Sequence, residues 1–304
     1  MTNDNKLIIG TAPDSWGVWF PDDPKQTPWE RFLDEVAEAG YKWIELGPYG
    51  YLPTDPSRLA DELAQRDLKI SAGTVFTAFH RGKDQWEEAW EPALRVAELT
   101  AAMGGEHIVV IPAMWRDDVT GEAVENEVLT PEQWDSLFGG HDELGRRLRD
   151  QFGLQQQFHS HADSHVQGQR DIERLLENTD SELLTLCLDT GHAEYGGASS
   201  VDLIRKYPER IGYLHLKQIN PDVLATVREQ NLTWAAANTA GVMIEPPNGL
   251  PDLREVIEAV ESLQKPIFGI VEQDMYPVDF DVPLPIAART RKYLLSCGSR
   301  TTVR

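Results

Sequence analysis

The chain has 304 residues, of which 41% are hydrophobic with nine Trp, nine Phe and eight Tyr, so it can bury a large core and is not a disordered polymer. Its formal charge of −22 is spread along the sequence, and such a field repels phosphodiester backbones, which argues against nucleic acid as a partner. Cys187 and Cys297 are the only cysteines, far apart and in no ligand-like spacing, so no disulfide framework is expected and a reducing compartment fits. Met1 to Lys6 lacks a basic segment leading into an apolar core, and no run approaches transmembrane length. A cytoplasmic protein that does not engage membranes is the expectation.

Taken in order, Leu7-Ile8-Ile9-Gly10-Thr11 reads as a first strand. Thr27-Pro28-Trp29-Glu30 starts a helix, with a cap residue, a proline and a glutamate three residues after the threonine, and it ends near Gly40. Trp43 to Gly47 is the second strand, Asp55-Pro56 opens a second helix through Leu63, and Leu68 to Ala72 is the third strand. A helix from about Trp86 to Met103 precedes the fourth strand, Ile108 to Ile111. A polar excursion from Trp115 to Leu129, a candidate lid, leads to Thr130-Pro131-Glu132-Gln133 and a helix to about Gln151, with Gly139-Gly140 as its expected point of interruption. Leu154 to Phe158 is the fifth strand, followed by a helix over Asp171 to Glu177. The sixth strand is Leu183 to Leu188, with a helix over Val201 to Lys206, and the seventh is Ile211 to Leu216. Residues 221 to 250 are the least regular, with a helix over Val223 to Glu229. Leu253 to Leu263 is helical by spacing, Ile267 to Val271 is the eighth strand, and Ile286 to Leu295 closes the chain.

Eight apolar strands alternating with amphipathic helices, and no linker between them, predict one α/β domain over 1–304, a closed (β/α)₈ TIM barrel. An open doubly wound sheet is disfavoured because no glycine fingerprint follows the first strand. In such a barrel the reactive side chains stand at the C-terminal strand ends. Phe158-His159-Ser160-His161 ends the fifth strand and Cys187-Leu188-Asp189-Thr190-Gly191-His192 the sixth. His215 lies at the end of the seventh and Glu272 at the end of the eighth. Four consecutive strands thus offer nitrogen and oxygen ligands to one point, and imidazoles with carboxylates suit Mn²⁺, Co²⁺, Fe²⁺ or Zn²⁺ better than Ca²⁺.

Gln156-Gln157-Phe158-His159-Ser160-His161, Leu188 to His192, His215-Leu216-Lys217 and Val271-Glu272-Gln273-Asp274 together resemble the xylose-isomerase-like barrels, and within them the inosose dehydratases. The resemblance covers most of the chain and includes the closing Pro285 to Tyr293. It implies metal ligation by His159, Asp189, His215 and Glu272, with Mn²⁺ or Co²⁺ ahead of Zn²⁺, Fe²⁺ or Mg²⁺. It places His161, His192 and Lys217 toward substrate and implies a homo-oligomer. The chain departs from the family at Asp163-Ser164 (Gly-Thr in the dehydratases), at Gln218 (aspartate there) and at Pro247-Asn248-Gly249 (Gly-Asp-Gly there), all bordering the pocket.

A metal chelating a ketone and its neighbouring hydroxyl acidifies the adjacent proton, and a positioned base and acid then complete an elimination. Glu272 and His192 are the expected acid–base pair, with Lys217 balancing charge on oxygen. Glu45, Trp16 and Glu245 are further candidates for contact with substrate. The expected reaction is dehydration of 2-keto-myo-inositol or a similar keto-cyclitol. Isomerisation, epimerisation or carbon-bond cleavage of another keto sugar, such as a 3-keto-glycoside, is the alternative, and a non-catalytic sugar-binding protein is a third reading. His159 holds a place where epimerases of the family carry glutamate, which favours elimination. His80 and Arg81 read as loop residues and His165 as a solvated one.

Overall fold

The computed structural model describes residues 7–298. Eight parallel strands, β1 (Leu7–Thr11), β2 (Trp43–Glu45), β3 (Lys69–Thr77), β4 (His107–Pro112), β5 (Gln155–His159), β6 (Leu184–Asp189), β7 (Ile211–Leu216) and β8 (Ile267–Val271), close into a barrel in sequence order. Closure is made by β1 on β8, in register from Leu7 opposite Ile267 to Thr11 opposite Val271. The expected (β/α)₈ barrel is the fold observed. Its helices are α1 (Trp29–Glu38), α2 (Pro56–Gln65), α3 (Lys83–Ala102), α4 (Pro131–Phe152), α5 (Gln169–Asn178), α6 (Thr190–Tyr195), α7 (Ser200–Lys206), α8 (Pro221–Gln230), α9 (Trp234–Thr239), α10 (Leu253–Glu261) and α11 (Pro283–Ser296). None of the described helices is long and apolar enough to cross a membrane.

The starts of α2, α4 and α8 follow from their caps. Asp55 accepts from the Arg58 amide, Thr130 and Gln133 close a capping box, and Asn220 accepts from the Asp222 and Val223 amides, with proline at the first helical position each time. Inside the barrel Val109, Cys187, Tyr213, Phe268 and Ile270 form a packed floor. The Tyr213 hydroxyl donates to Ser71 Oγ at 2.8 Å there, so the barrel is filled and any site must lie above this layer.

Several elements differ from the sequence expectation. Strand β3 runs five residues past Ala72, pairing with β4 as far as Thr77 opposite Pro112. Its Gly73-Thr74 step looks like a strand end but is paired on the ladder. Helix α4 is continuous through Gly139-Gly140. A Cβ at Gly140 would meet the Phe79 ring at 2.5 Å, so these glycines let α4 approach the turn after β3 and do not break it. Helices α6 and α9, each of six residues, were not expected.

One buried histidine makes acid stability predictable. His141 on α4 is fully buried between the edges of Phe79 and Phe158 and shares 2.9 Å with Gln156 Oε1 through Nδ1. Gln156 Nε2 donates to the His141 and Leu183 carbonyls, so Oε1 is the amide's acceptor and His141 holds its proton on Nδ1. Burial lowers this imidazole from 6.5 to about 4. The unfolded chain binds that proton first, so stability is full above pH 6.5 and falls as pH drops toward 4, by about 3 kcal/mol in total for this group. Urea unfolding at pH 7 and at pH 4.5 is expected to show a loss that shrinks in His141→Leu.

Candidate metal centre and cavity

The C-terminal strand ends surround a cavity of about 730 Å³ lined by His159, His161, His192, His215, Lys217 and Glu272, among others. His159 and Asp189 are the last residues of β5 and β6, His215 the penultimate residue of β7, and Glu272 follows β8. Asp189 Oδ2 lies 3.2 Å from His159 Nε2 and 3.5 Å from His215 Nδ1, and His215 Nδ1 lies 2.9 Å from Glu272 Oε2. All four residues are buried and offer ligand atoms within 4.8 Å of one another. The other carboxylate oxygen of Asp189 caps α6 by accepting from the His192 amide at 2.8 Å. A side chain at Gly191 would collide with Lys217, its Cβ falling 2.6 Å from the lysine Cβ, so the glycine lets α6 lie against the end of β7.

Glu45 Oε1 sits 2.9 Å from His215 Nε2. A carboxylate only accepts, so His215 carries a proton on Nε2 and turns Nδ1 toward Asp189 and Glu272. A bare lone pair facing two carboxylates repels them unless a proton or a cation stands between. Burial opposes a charge on His215, but Cys187, Glu272 and Glu45 outweigh it and hold the imidazole well above its ordinary range. Binding a divalent ion would displace that proton. Asp14, Asp189, Glu272 and Asp274 converge here on the ammonium of Lys217, whose Nζ lies 3.2 Å from Asp189 and 2.8 Å from both Glu272 and Asp274. Two imidazoles, two carboxylates and this excess of negative charge fit a divalent cation.

The neighbouring imidazoles carry their protons on opposite atoms. His192 Nδ1 accepts from the Ala162 amide at 3.0 Å, so its proton is on Nε2, which is buried without a hydrogen-bond partner. His161 Nδ1 stands 2.8 Å from the Ala162 carbonyl and must donate, leaving a lone pair on Nε2. The rings are 4.1 Å apart. Burial, joined by neighbouring histidines, keeps both neutral, His161 at about 3 and His192 well below its ordinary value. Among the carboxylates, Glu272 is held at about 2 against its burial by His215 and Lys217, and Asp189 is held low against its burial by Lys217 and the histidines. Asp14 goes the other way: burial, Glu272 and Asp274 push it well above the ordinary range.

Two of the substrate-contact candidates lie elsewhere. Trp16 is fully buried and donates from its indole to Glu35 at 2.7 Å, so it packs under the turn after β1, while Trp19 faces the cavity. Glu245 is taken up by a two-pronged pair with Arg289 at 2.7 and 2.9 Å and does not line the cavity. His165 is buried, not solvated. Asp14, Asp274 and Trp234 line the cavity without having been assigned a role from sequence. A survey of every carboxylate within a few residues of a strand end would have found the first two.

The departure at Asp163 has a structural reason. Its φ is +59°, a conformation that aspartate tolerates and glycine favours. Its carboxylate pairs with Arg116 at 2.7 Å and accepts from the Trp234 amide at 2.9 Å, both partners buried. That ties the base of the 115–129 excursion to the loop after β5 and seats the Trp234 ring 4.3 Å from His192. Asp163→Ala leaves the buried Arg116 guanidinium with only the neutral oxygens of Asn231 and Leu232 and no carboxylate, and is expected to cost about 3 kcal/mol in urea unfolding. KM is expected to rise as well, because the Trp234 wall loses its anchor.

Comparison with known proteins agrees with the barrel fold. Residues 33–272 match the xylose isomerase-like TIM barrel family. The chain belongs to that family. It is 29% identical over 305 residues to an inosose dehydratase of Clostridium botulinum, covering 97% of this chain and 98% of the relative. An inosose dehydratase of Lacticaseibacillus casei is 30% identical over 295 residues, covering 95% of this chain and 96% of that one. Among solved structures, the IOLI protein with a binding zinc atom superposes with a TM-score of 0.73 at 15% identity, over 97% of this chain and all of the other. The probable 3-DHS dehydratase AsbF of Bacillus anthracis gives 0.68 at 17%, over 95% and 99%. At those identities the two structures bear on the fold alone.

Proposed function

We propose that the protein is a divalent-metal-dependent hydro-lyase that removes water from an inosose, 2-keto-myo-inositol or a closely similar keto-cyclitol. The observation that carries this reading is the ligand set His159, Asp189, His215 and Glu272 standing beside a neutral imidazole pair with complementary proton positions. Inosose dehydratase relatives over nearly the whole chain support the substrate class. His159, Asp189, His215 and Glu272 would hold the divalent ion, Mn²⁺ or Co²⁺ first and Zn²⁺, Fe²⁺ or Mg²⁺ after them, which when bound would supply Lewis acidity toward the ketone.

The chain's own groups divide the remaining work. Lys217, fixed among three carboxylates, faces negative charge that develops on substrate oxygen. His192 presents an Nε2–H and is the donor to the departing hydroxyl. Glu272, held ionised at about 2, is a weak base, and its part is with the cation. Asp14 lines the cavity, and burial with Glu272 and Asp274 raises its carboxyl well above the ordinary range, so its carboxylate is the stronger base toward the carbon-bound proton. Glu45 orients His215, and His161 offers Nε2 as an acceptor for a substrate hydroxyl.

Incubating the purified chain with 2-keto-myo-inositol and each of the five metals in turn should give the dehydrated diketone with at least one of them. No product with any metal would overturn the reading. A second reading has its own observation. The outer cavity wall carries Phe76, Phe20 and Tyr49, which are 64%, 44% and 38% exposed, and the volume exceeds what one six-membered ring requires. That favours a substrate with a further group, such as a 3-keto-glycoside. Solvent-deuterium exchange across a panel of keto sugars separates the two, since an epimerase or isomerase washes label into an unchanged carbon skeleton.

A further inference from the structure

A second group of metal-capable side chains lies outside the cavity. His80 follows β3, Glu125 stands in the 115–129 excursion, and His165 lies in the loop after β5. His80 and His165 are 3% and 6% exposed, and their rings meet edge to face at 4.5 Å. His80 Nε2 is 3.0 Å from Glu125 Oε2, and His165 Nε2 is 3.4 Å from Glu125 Oε1. None of the three lines the cavity.

His165 has the proton arrangement of a metal-ligating histidine. Its Nδ1 lies 2.8 Å from the Glu127 carbonyl, so Nδ1 carries hydrogen and donates. That leaves Nε2 buried, without a hydrogen-bond partner and turned toward a carboxylate. A carbonyl holding one imidazole nitrogen while the other faces a ligand cluster is the outer-shell pattern that orients histidines on metals. Zinc bonds to nitrogen and oxygen are about 2.0–2.2 Å, so tetrahedral ligand atoms stand roughly 3.3 Å apart. The 3.0 Å between His80 Nε2 and Glu125 Oε2 is close to that value, and the three residues offer ligand atoms within 4.8 Å of one another.

We infer that His80, Glu125 and His165 form a second, structural site for a zinc-like divalent cation, with water completing the tetrahedron. The ion staples the 115–129 excursion to the loops after β3 and β5. Arg81 does not stand in its way: its Nη2 donates to Glu125 Oε1 at 2.9 Å, and the side chain is 44% exposed, so it serves as an outer partner while Oε2 binds. Binding through His80 Nε2 requires the proton that this nitrogen now gives to Glu125 to move to Nδ1 of the same ring, and it leaves Arg81 in place. The inference is independent of the proposed reaction.

Elemental analysis of chain loaded with Zn²⁺ and desalted tests it. Two ions per chain are expected, falling to one in Glu125→Gln and in His165→Asn, to one in Asp189→Asn, and to none in the Asp189→Asn/Glu125→Gln pair. Glu125→Gln preserves the side-chain volume, so a folding failure in His165→Asn leaves the test intact. As a second readout, Zn²⁺ is expected to raise the melting midpoint of Asp189→Asn but not that of the double variant. Glu125→Gln and His165→Asn that hold as many ions as the wild type overturn the inference, whatever the barrel mouth holds.

Discussion

Asp189→Asn is expected to give a folded chain that no longer keeps a divalent ion at the barrel mouth and turns over about 10³-fold more slowly, or less. The substitution is informative because Asp189 has two separate tasks. Oδ1 accepts from the His192 amide and caps α6, and an asparagine oxygen can do the same. Oδ2 faces His159, His215 and Lys217, and an uncharged amide there forfeits the charge that the ligand set requires. Lewis-acid stabilisation is worth several kcal/mol, and each 1.36 kcal/mol is about tenfold in rate. Metal content, the melting midpoint and kcat/KM measured on one preparation check it. Full activity with the metal lost would remove the metal from the mechanism, and full activity with the metal retained would remove Asp189 from the ligand set.

Lys217→Met is expected to lower kcat by about 10²–10³-fold, the usual loss when one preorganised charge-stabilising donor is removed. The metal-free protein should also lose about 3–5 kcal/mol of stability, since deleting one partner of a buried ionic cluster strands the others. Asp189, Glu272 and Asp274 would then face one another without the ammonium now 2.8–3.2 Å away. A divalent ion should restore much of the lost stability in the variant, because it supplies positive charge at the same carboxylates, yet leave kcat low. Denaturant unfolding with and without Mn²⁺ and steady-state kinetics separate the two effects. A variant with wild-type kcat would confine Lys217 to a structural part.

The contrast between two tryptophans shows where local reading stops. Trp16 and Trp19 stand three residues apart after β1 and look equivalent in sequence, yet one donates to Glu35 in the core and the other faces the cavity. The turn Pro13–Trp16 and the positive φ of Gly17 between them decide which way each points. Glu245 is a similar case. Its partner Arg289 lies 44 residues later on α11, and nothing near position 245 announces that pairing.

Sequence by itself determined the strand–helix alternation, the barrel and the four strand-end residues gathered at its mouth. Those follow from periodicity and from the rule that parallel barrels put their strand ends on one face. Tertiary structure alone decided the proton positions on His161 and His192, because each depends on Ala162 presenting its amide to one ring and its carbonyl to the other. It likewise decided that Asp14 joins the cluster and that His80, Glu125 and His165 meet, since these groups come from separate loops brought together only when the barrel closes. Hydrogen-bond direction and burial are properties of such long-range neighbours, and no local pattern encodes them.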